Sequence, residues 1–352
     1  MNKFYVDNTE FILEDYHKNN FNIKSYDKIY NATFNSDDIN LLISNNYNIG
    51  DYIICDDYFI DKINNIYIDS IYYIQAIEDN KNINTVLQII DKLYFNKFNK
   101  SNKLFVIGGG IIQDIGGFVA GIFKRGISWI YIPTTLLAMT DSCIGGKVGI
   151  NHHSKNMLGM FVSPIKVLIS DYFLTSLHED MIISGLGESL KLAIIGGVTE
   201  TNNFLELYKK KDYLTIIKQS LVIKKAIIEY DELEKNERRV LNYGHTIGHA
   251  IEASTNFFIP HGIGVLFGMY FINKLFEIKN FENINEFILN MIPIKYKLKF
   301  DNQQIITHIK NDKKNLGNNI CFIVPDNFGL FNIKFINIEN IQSMLNNILV
   351  NY

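Results

Sequence analysis

Lys103-Leu104-Phe105-Val106-Ile107-Gly108-Gly109-Gly110-Ile111-Ile112-Gln113-Asp114-Ile115-Gly116-Gly117-Phe118 decides how the chain is read. An unbroken apolar run is what a strand buried on both faces of a parallel sheet requires. Three glycines then leave the backbone bare where the strand ends. Upstream, Asp51 to Asp56 reads as a second strand, and Asn84 to Tyr94 carries apolar residues at helical spacing. Downstream, Trp129 to Pro133 reads as a further buried strand. Strands alternating with helices predict an α/β domain with a mostly parallel sheet.

From about Pro164 onward helical patterns dominate. Met181–Ile195, Asp212–Glu237, Asn242–Ser254, Ile263–Phe281 and Ile338–Leu349 all read as helices. Two domains are expected, 1–165 and 166–352, packed around a shared cleft, the usual place for a small-molecule site. No internal repeat and no flexible linker interrupts them.

Composition narrows the function. The 34 basic and 37 acidic residues of the 352 nearly cancel, giving −3, with no basic block of the kind a nucleic-acid binder carries. Cys55, Cys143 and Cys321 are widely spaced and odd in number, which suits a reducing cytosol better than a disulfide framework. No signal peptide is visible and no run reaches the roughly 18 apolar residues of a membrane span. A cytoplasmic protein is expected. The wealth of Asn, Ile, Lys and Tyr reflects AT-rich coding. Against that background only three arginines survive, Arg125, Arg238 and Arg239, which marks them as sites needing the planar fork for carboxylate or phosphate.

Ten of the 23 glycines fall between residues 108 and 149. Glycines between a strand and a helix N-terminus let backbone N–H groups approach a phosphate. The run departs from G-x-G-x-x-G, and alone it is equally a tight structural turn. Pro133-Thr134-Thr135 and Asp141-Ser142-Cys143-Ile144-Gly145-Gly146-Lys147 add hydroxyls and a cation suited to ribose and phosphate oxygens.

The helical half holds metal-ligand types. Gly187-Glu188-Ser189-Leu190-Lys191 places a carboxylate and an ammonium three apart on one helical face. His245 and His249 lie four apart, and His261 follows at a loop-to-helix junction. One glutamate with two histidines and an open position is a catalytic zinc set. A histidine on a helix face is also a common core residue, and spacing does not say which two of the three would bind.

Together these segments closely resemble the 3-dehydroquinate synthase family. The matching stretches are GGGIIQDIGGF, FKRGI, IPTTLLAMTDSCIGGKVGIN, KNMLGMF, GLGESLKLAI, ERRVLNYGHTIGHAIE, PHGIGVLFGM and DKKNLG, in order from residue 108 to residue 317. The resemblance implies a Rossmann-like N-terminal NAD-binding domain and a mainly α-helical C-terminal one. It implies NAD and a divalent metal, zinc or cobalt, as cofactors. It makes Glu188, His245 and His261 the metal ligands and His249 a non-ligand histidine near the reacting hydroxyls and phosphate. It makes Lys147, Asn156, Lys191, Lys224, Arg238 and Asn242 substrate contacts, with Lys224 and Arg238 on a carboxylate. Lys314 or its neighbour Lys313 would hold a phosphate. Arg125 would reach the partner's site in a homodimer. Asp56, Glu78, Lys81, Gly109, Gly110, Asp114, Thr134, Thr135, Asp141, Lys147 and Lys155 match the NAD-binding set. The implied reaction closes 3-deoxy-D-arabino-heptulosonate 7-phosphate to 3-dehydroquinate by transient oxidation at C5, loss of phosphate, reduction and an aldol step. Gln113, Gly187 and Ile263 depart from the family pattern, where glycine, alanine and glutamate are usual.

Rival readings are a cyclase acting on a sugar phosphate without a carboxylate, a metal-dependent polyol dehydrogenase that releases NADH, and an inactive homologue serving as a scaffold. The Lys224, Arg238 and His249 set favours a carboxylate-bearing substrate. A scaffold would be expected to have lost metal ligands.

Overall fold

The computed structural model describes residues 2–64, 68–298, 300–310, 317–337, 339–340 and 344–345. It divides into two compact units, one of residues 17–177 and one of residues 1–16 with 178–352. The division lies later than the 165/166 boundary expected from pattern. Strand Lys166–Ser170 is the reason: it pairs in parallel with Ile29–Asn35 on one side and Trp129–Pro133 on the other, so it belongs to the first unit's sheet.

That sheet has seven strands. Their spatial order is Asn20–Lys24, Ile29–Asn35, Lys166–Ser170, Trp129–Pro133, Leu104–Gly108, Tyr52–Asp56 and Ile71–Ile74. Only the Asn20–Lys24 edge runs antiparallel to its neighbour. Leu104 to Ile107 are fully buried, as their unbroken apolar run requires. Helix Ile83–Phe95 starts where Asn82 accepts from the N–H groups of Asn84 and Thr85, at 2.9 and 3.1 Å. Helix Gly110–Ile122 packs on the Leu104–Gly108 strand through buried Ile112, Ile115 and Val119. Each such side chain contributes about 1.5–3 kcal/mol of burial.

The second unit is mainly helical, with one addition that local pattern did not show. Strands Asn319–Asn327 and Leu330–Asn337 form a hairpin, and Lys3–Val6 joins it in parallel with Tyr5 opposite Leu330. Thr9–Ile12 completes this four-stranded sheet, which explains why residues 1–16 sit with the helical unit. The helices that build the site are Glu179–Gly196, Tyr213–Tyr230, His245–Ser254 and His261–Leu275. The helix expected over Asp212–Glu237 therefore stops at Tyr230, and that expected to run to Phe281 stops at Leu275. Most of the expected Ile338–Leu349 helix lies outside the described residues. Among the described residues no helix is long and apolar enough to cross a membrane.

Candidate active site

In the first unit, three neighbouring parallel strands end together. Asp56 closes one, Gly108 the next, and Pro133 the third, directly before Thr134 and Thr135. The carboxyl ends of parallel strands are where such sheets bind ligands. Gly109 caps helix Gly110–Ile122 without any side-chain hydrogen bond. A Cβ on Gly110 would meet nothing within 4 Å, so the helix N-terminus opens onto space. Bare N–H groups at that position suit a phosphate. Thr135 has a second task, accepting from the Ala138 N–H at 3.2 Å and so capping the turn that carries Asp141.

Beside this lies a charged network. Lys81 is buried, and its ammonium reaches Asp114 Oδ2 at 3.0 Å, Asn156 Oδ1 at 2.6 Å and Glu78 Oε1 at 3.1 Å. Asp114 Oδ1 accepts from the Gly149 N–H, and Asn151 joins Glu78 to the backbone N–H of Asn156. Four residues singled out from sequence are thereby brought together. Burial pushes the Asp114 carboxyl up, with Lys81 opposing it. Lys147 and Lys155 are exposed on strands Lys147–His152 and Ser154–Phe161 of the neighbouring hairpin.

Gln113, unusual by resemblance, has a clear physical role. Its buried amide donates to the Ser142 carbonyl and accepts from the Ser142 hydroxyl, both at 2.6 Å. This ties the glycine-led helix to the π-helical turn Ala138–Ser142. Gln113→Leu should strand both groups of the half-buried Ser142, and a fully buried unsatisfied group costs about 1–3 kcal/mol, less where water reaches it. A loss of roughly 2–4 kcal/mol in a urea titration is expected; an unchanged midpoint would contradict this role.

In the second unit the metal-ligand types converge. Glu188 is wholly buried, and its Oε1 lies 3.1 Å from His261 Nε2 and 3.4 Å from His245 Nε2. Lys191 pairs with its other oxygen. Despite these close approaches neither Glu188 oxygen meets a well-directed hydrogen bond. One ring nitrogen from each of His245, His249 and His261 lies within 4.8 Å of the other two. Two of these rings have their outer nitrogen occupied: His245 Nδ1–H donates to the Tyr243 carbonyl at 3.1 Å, and His261 Nδ1–H donates to Glu252 Oε1 at 2.9 Å. Both therefore turn Nε2 toward Glu188. Imidazole and carboxylate donors with occupied outer atoms are what a catalytic zinc or cobalt site needs, so a divalent cation fits this set. Burial disfavours the charge on either partner. Even so, Glu252 and Glu188 push His261 up to about 10, while Lys191 and His261 hold Glu188 well below the usual carboxylate range.

The same unit carries further cations and an amide singled out from sequence. Lys224 is buried on helix Tyr213–Tyr230. The chain then turns around Asp231, whose carboxylate accepts from the N–H groups of Lys235, Asn236 and Arg238 at 2.9, 2.8 and 3.1 Å. This broken helix orients Arg238, which is 2% exposed and donates through Nη1 to the Glu232 carbonyl. Asn242 donates to Glu234 at 2.9 Å. Asp231, Glu234 and Glu252 were not singled out from sequence. Only Glu252 had a local signal, sitting seven residues after His245 and three after His249 on one helical face. Arg125 is exposed in a turn of the first unit where it and Lys124 have φ of +63° and +49°. Lys313 and Lys314 lie outside the described residues.

Two family models, described as 3-dehydroquinate synthase N-terminal and C-terminal, match residues 71–184 and 185–315. The 3-dehydroquinate synthase of Pyrococcus abyssi (strain GE5 / Orsay) is 36% identical over 278 residues, covering 77% of this chain and 83% of that protein. That of Thermodesulfovibrio yellowstonii is 40% identical over 275 residues, 73% of this chain and 76% of that protein. Among solved structures, a 2-deoxy-scyllo-inosose synthase complexed with carbaglucose-6-phosphate, NAD+ and Co2+ superposes with a TM-score of 0.78 at 21% identity, over 93% of this chain and 99% of that one. The 2-epi-5-epi-valiolone synthase of Streptomyces hygroscopicus, with NAD+ and Zn2+ bound, gives 0.72 at 20% identity, over 92% and 97%. At such identities the structural likeness speaks for the fold.

Proposed function

The chain belongs to the 3-dehydroquinate synthase family, and from that premise we propose that it converts 3-deoxy-D-arabino-heptulosonate 7-phosphate to 3-dehydroquinate and phosphate, using NAD and a divalent metal. The observation that carries this reading is Glu188, a fully buried carboxylate without a directed hydrogen bond, faced by the Nε2 atoms of two histidines whose other nitrogens are taken.

When bound, the dication would supply Lewis acidity at a substrate hydroxyl and the nicotinamide would supply reversible hydride chemistry. The chain's residues supply position and charge. Glu188, His245 and His261 hold the metal. Arg238, already desolvated and oriented by Asp231, binds the substrate carboxylate with Lys224, at no cost in ordering at the moment of reaction. His249 has its ring 5.1 Å from His245 and 5.4 Å from His261, so it can hold or pass a proton at a hydroxyl or phosphate oxygen bound there. Lys191 offsets negative charge developing beside Glu188, and Asn242 orients a hydroxyl. In the first unit the Gly109-Gly110 helix start receives the pyrophosphate. Glu78, Lys81 and Asp114 form a charged wall of the dinucleotide pocket, with Asp56, Thr134 and Asp141 at the strand ends and turn. Lys147 and Asn156 contact substrate, and Lys155 the cofactor. Arg125 is assigned to the partner's site in a homodimer, and its exposed position in a turn is consistent with that reading.

The test is direct. Purified protein with the heptulosonate phosphate, trace NAD and zinc should release phosphate and 3-dehydroquinate in equal amounts, with many turnovers per NAD. Phosphate without 3-dehydroquinate would overturn the assignment. NADH accumulating in step with turnover would point to a dehydrogenase instead.

A further inference from the structure

We propose that Glu252 is a positioning residue for the metal centre, fixing His261 in the one tautomer whose Nε2 can ligate. The inference rests on the metal reading above and adds a residue to it.

The argument is one of donors and acceptors. A carboxylate can only accept, so the 2.9 Å contact between Glu252 Oε1 and His261 Nδ1 puts the ring's N–H on Nδ1. A metal-bound imidazole is neutral and carries a single N–H, so with that N–H on Nδ1 the lone pair left for the cation is the one on Nε2. That atom lies 3.1 Å from Glu188 Oε1, at the centre of the donor set. Glu252 is 3% exposed on helix His245–Ser254, on the same face as His245 and His249. The packing makes room for it: a Cβ on Gly264 would stand 3.0 Å from Glu252 Cγ and 3.1 Å from Oε1. Glycine there lets the carboxylate lie flat beside helix His261–Leu275. His245 is held differently, by the neutral carbonyl of Tyr243. The two imidazoles are thus unequal. The outer partner of His261 is anionic, which raises the basicity of its ligating nitrogen.

Metal-free protein should be titrated with zinc, and separately with cobalt, against a competing chelator. The panel is wild type, Glu252→Gln and Glu252→Ala. Loss of an outer partner typically weakens metal binding about 10- to 100-fold, and the alanine variant is expected in that range. Glutamine keeps an acceptor without the charge and should fall between. The visible bands of the cobalt form should shift in both variants, while NAD affinity, which resides in the other unit, stays unchanged. Equal metal affinity in all three proteins would overturn the role of Glu252. A wild type that binds no metal would instead overturn the metal reading. If the alanine variant does not fold, nitrogen-15 histidine spectra of the zinc-loaded wild type decide the matter. His261 should then show a protonated Nδ1, and a bare Nδ1 refutes the proposal.

Discussion

Glu188→Gln is expected to lower kcat/KM by about a thousandfold and to release the metal. The carboxylate lies within 3.4 Å of two imidazole nitrogens whose rings are anchored through their other nitrogen. An amide of the same shape removes the negative charge a dication needs. It also presents an N–H group that can donate to those same lone pairs, filling the cation's place. Metal Lewis acidity is worth several kcal/mol in such reactions, and at about 1.4 kcal/mol per tenfold that gives a loss on the order of 10³. Metal content per chain by atomic absorption, measured alongside kcat/KM, separates this from misfolding. A variant that kept one zinc per chain and activity within tenfold of wild type would sink the ligand assignment.

The parts of the molecule legible in the sequence are those set by local chemistry. Trp129–Pro133 is a strand with the bounds its composition predicts, because both sheet faces cover it and every position is apolar. Glycines after Ile107 mark the bare helix start because no other residue leaves the N–H groups so exposed. What escaped depends on partners distant along the chain. Lys3–Val6 pairs with a strand more than three hundred residues away, and no periodicity encodes that. The stretch 231–236 has helical composition, but Asp231 gathers three backbone N–H groups and ends the helix. That competition between a side chain and the helical ladder is typical of aspartate. Gln113 read as a departure from pattern; its reciprocal bonds with Ser142 appear only when two segments meet. The metal set was legible as residue types, whereas the carbonyl behind His245 and the carboxylate behind His261 appear only when the chain is folded.

The glycines beside the ligands lead to the second large effect, for Gly262→Ala. A Cβ on Gly262 would stand 1.8 Å from the Ser184 carbonyl oxygen and 2.5 Å from its carbon, and one on Gly187 would stand 2.3 Å from the Gly262 oxygen. Helices Glu179–Gly196 and His261–Leu275 therefore touch backbone to backbone, and the Gly262 N–H donates to Ser184 Oγ at 2.9 Å. Glu188 follows one of these glycines and His261 precedes the other, so the 3.1 Å approach of their side chains depends on the contact. Alanine would collide with rigid main chain, which no rotamer change relieves. Overpacking of this kind costs about 1–3 kcal/mol and occasionally more. At about 2–4 °C per kcal/mol, a loss near 3 kcal/mol lowers Tm by roughly 6–12 °C. Zinc affinity should fall as well, since the helices must part along the line that joins two ligands. Gly110→Ala, where a Cβ meets nothing within 4 Å, is the matched control for stability and should melt close to wild type. If both variants melted alike with zinc affinity intact, helix separation would not be what sets the spacing of Glu188 and His261.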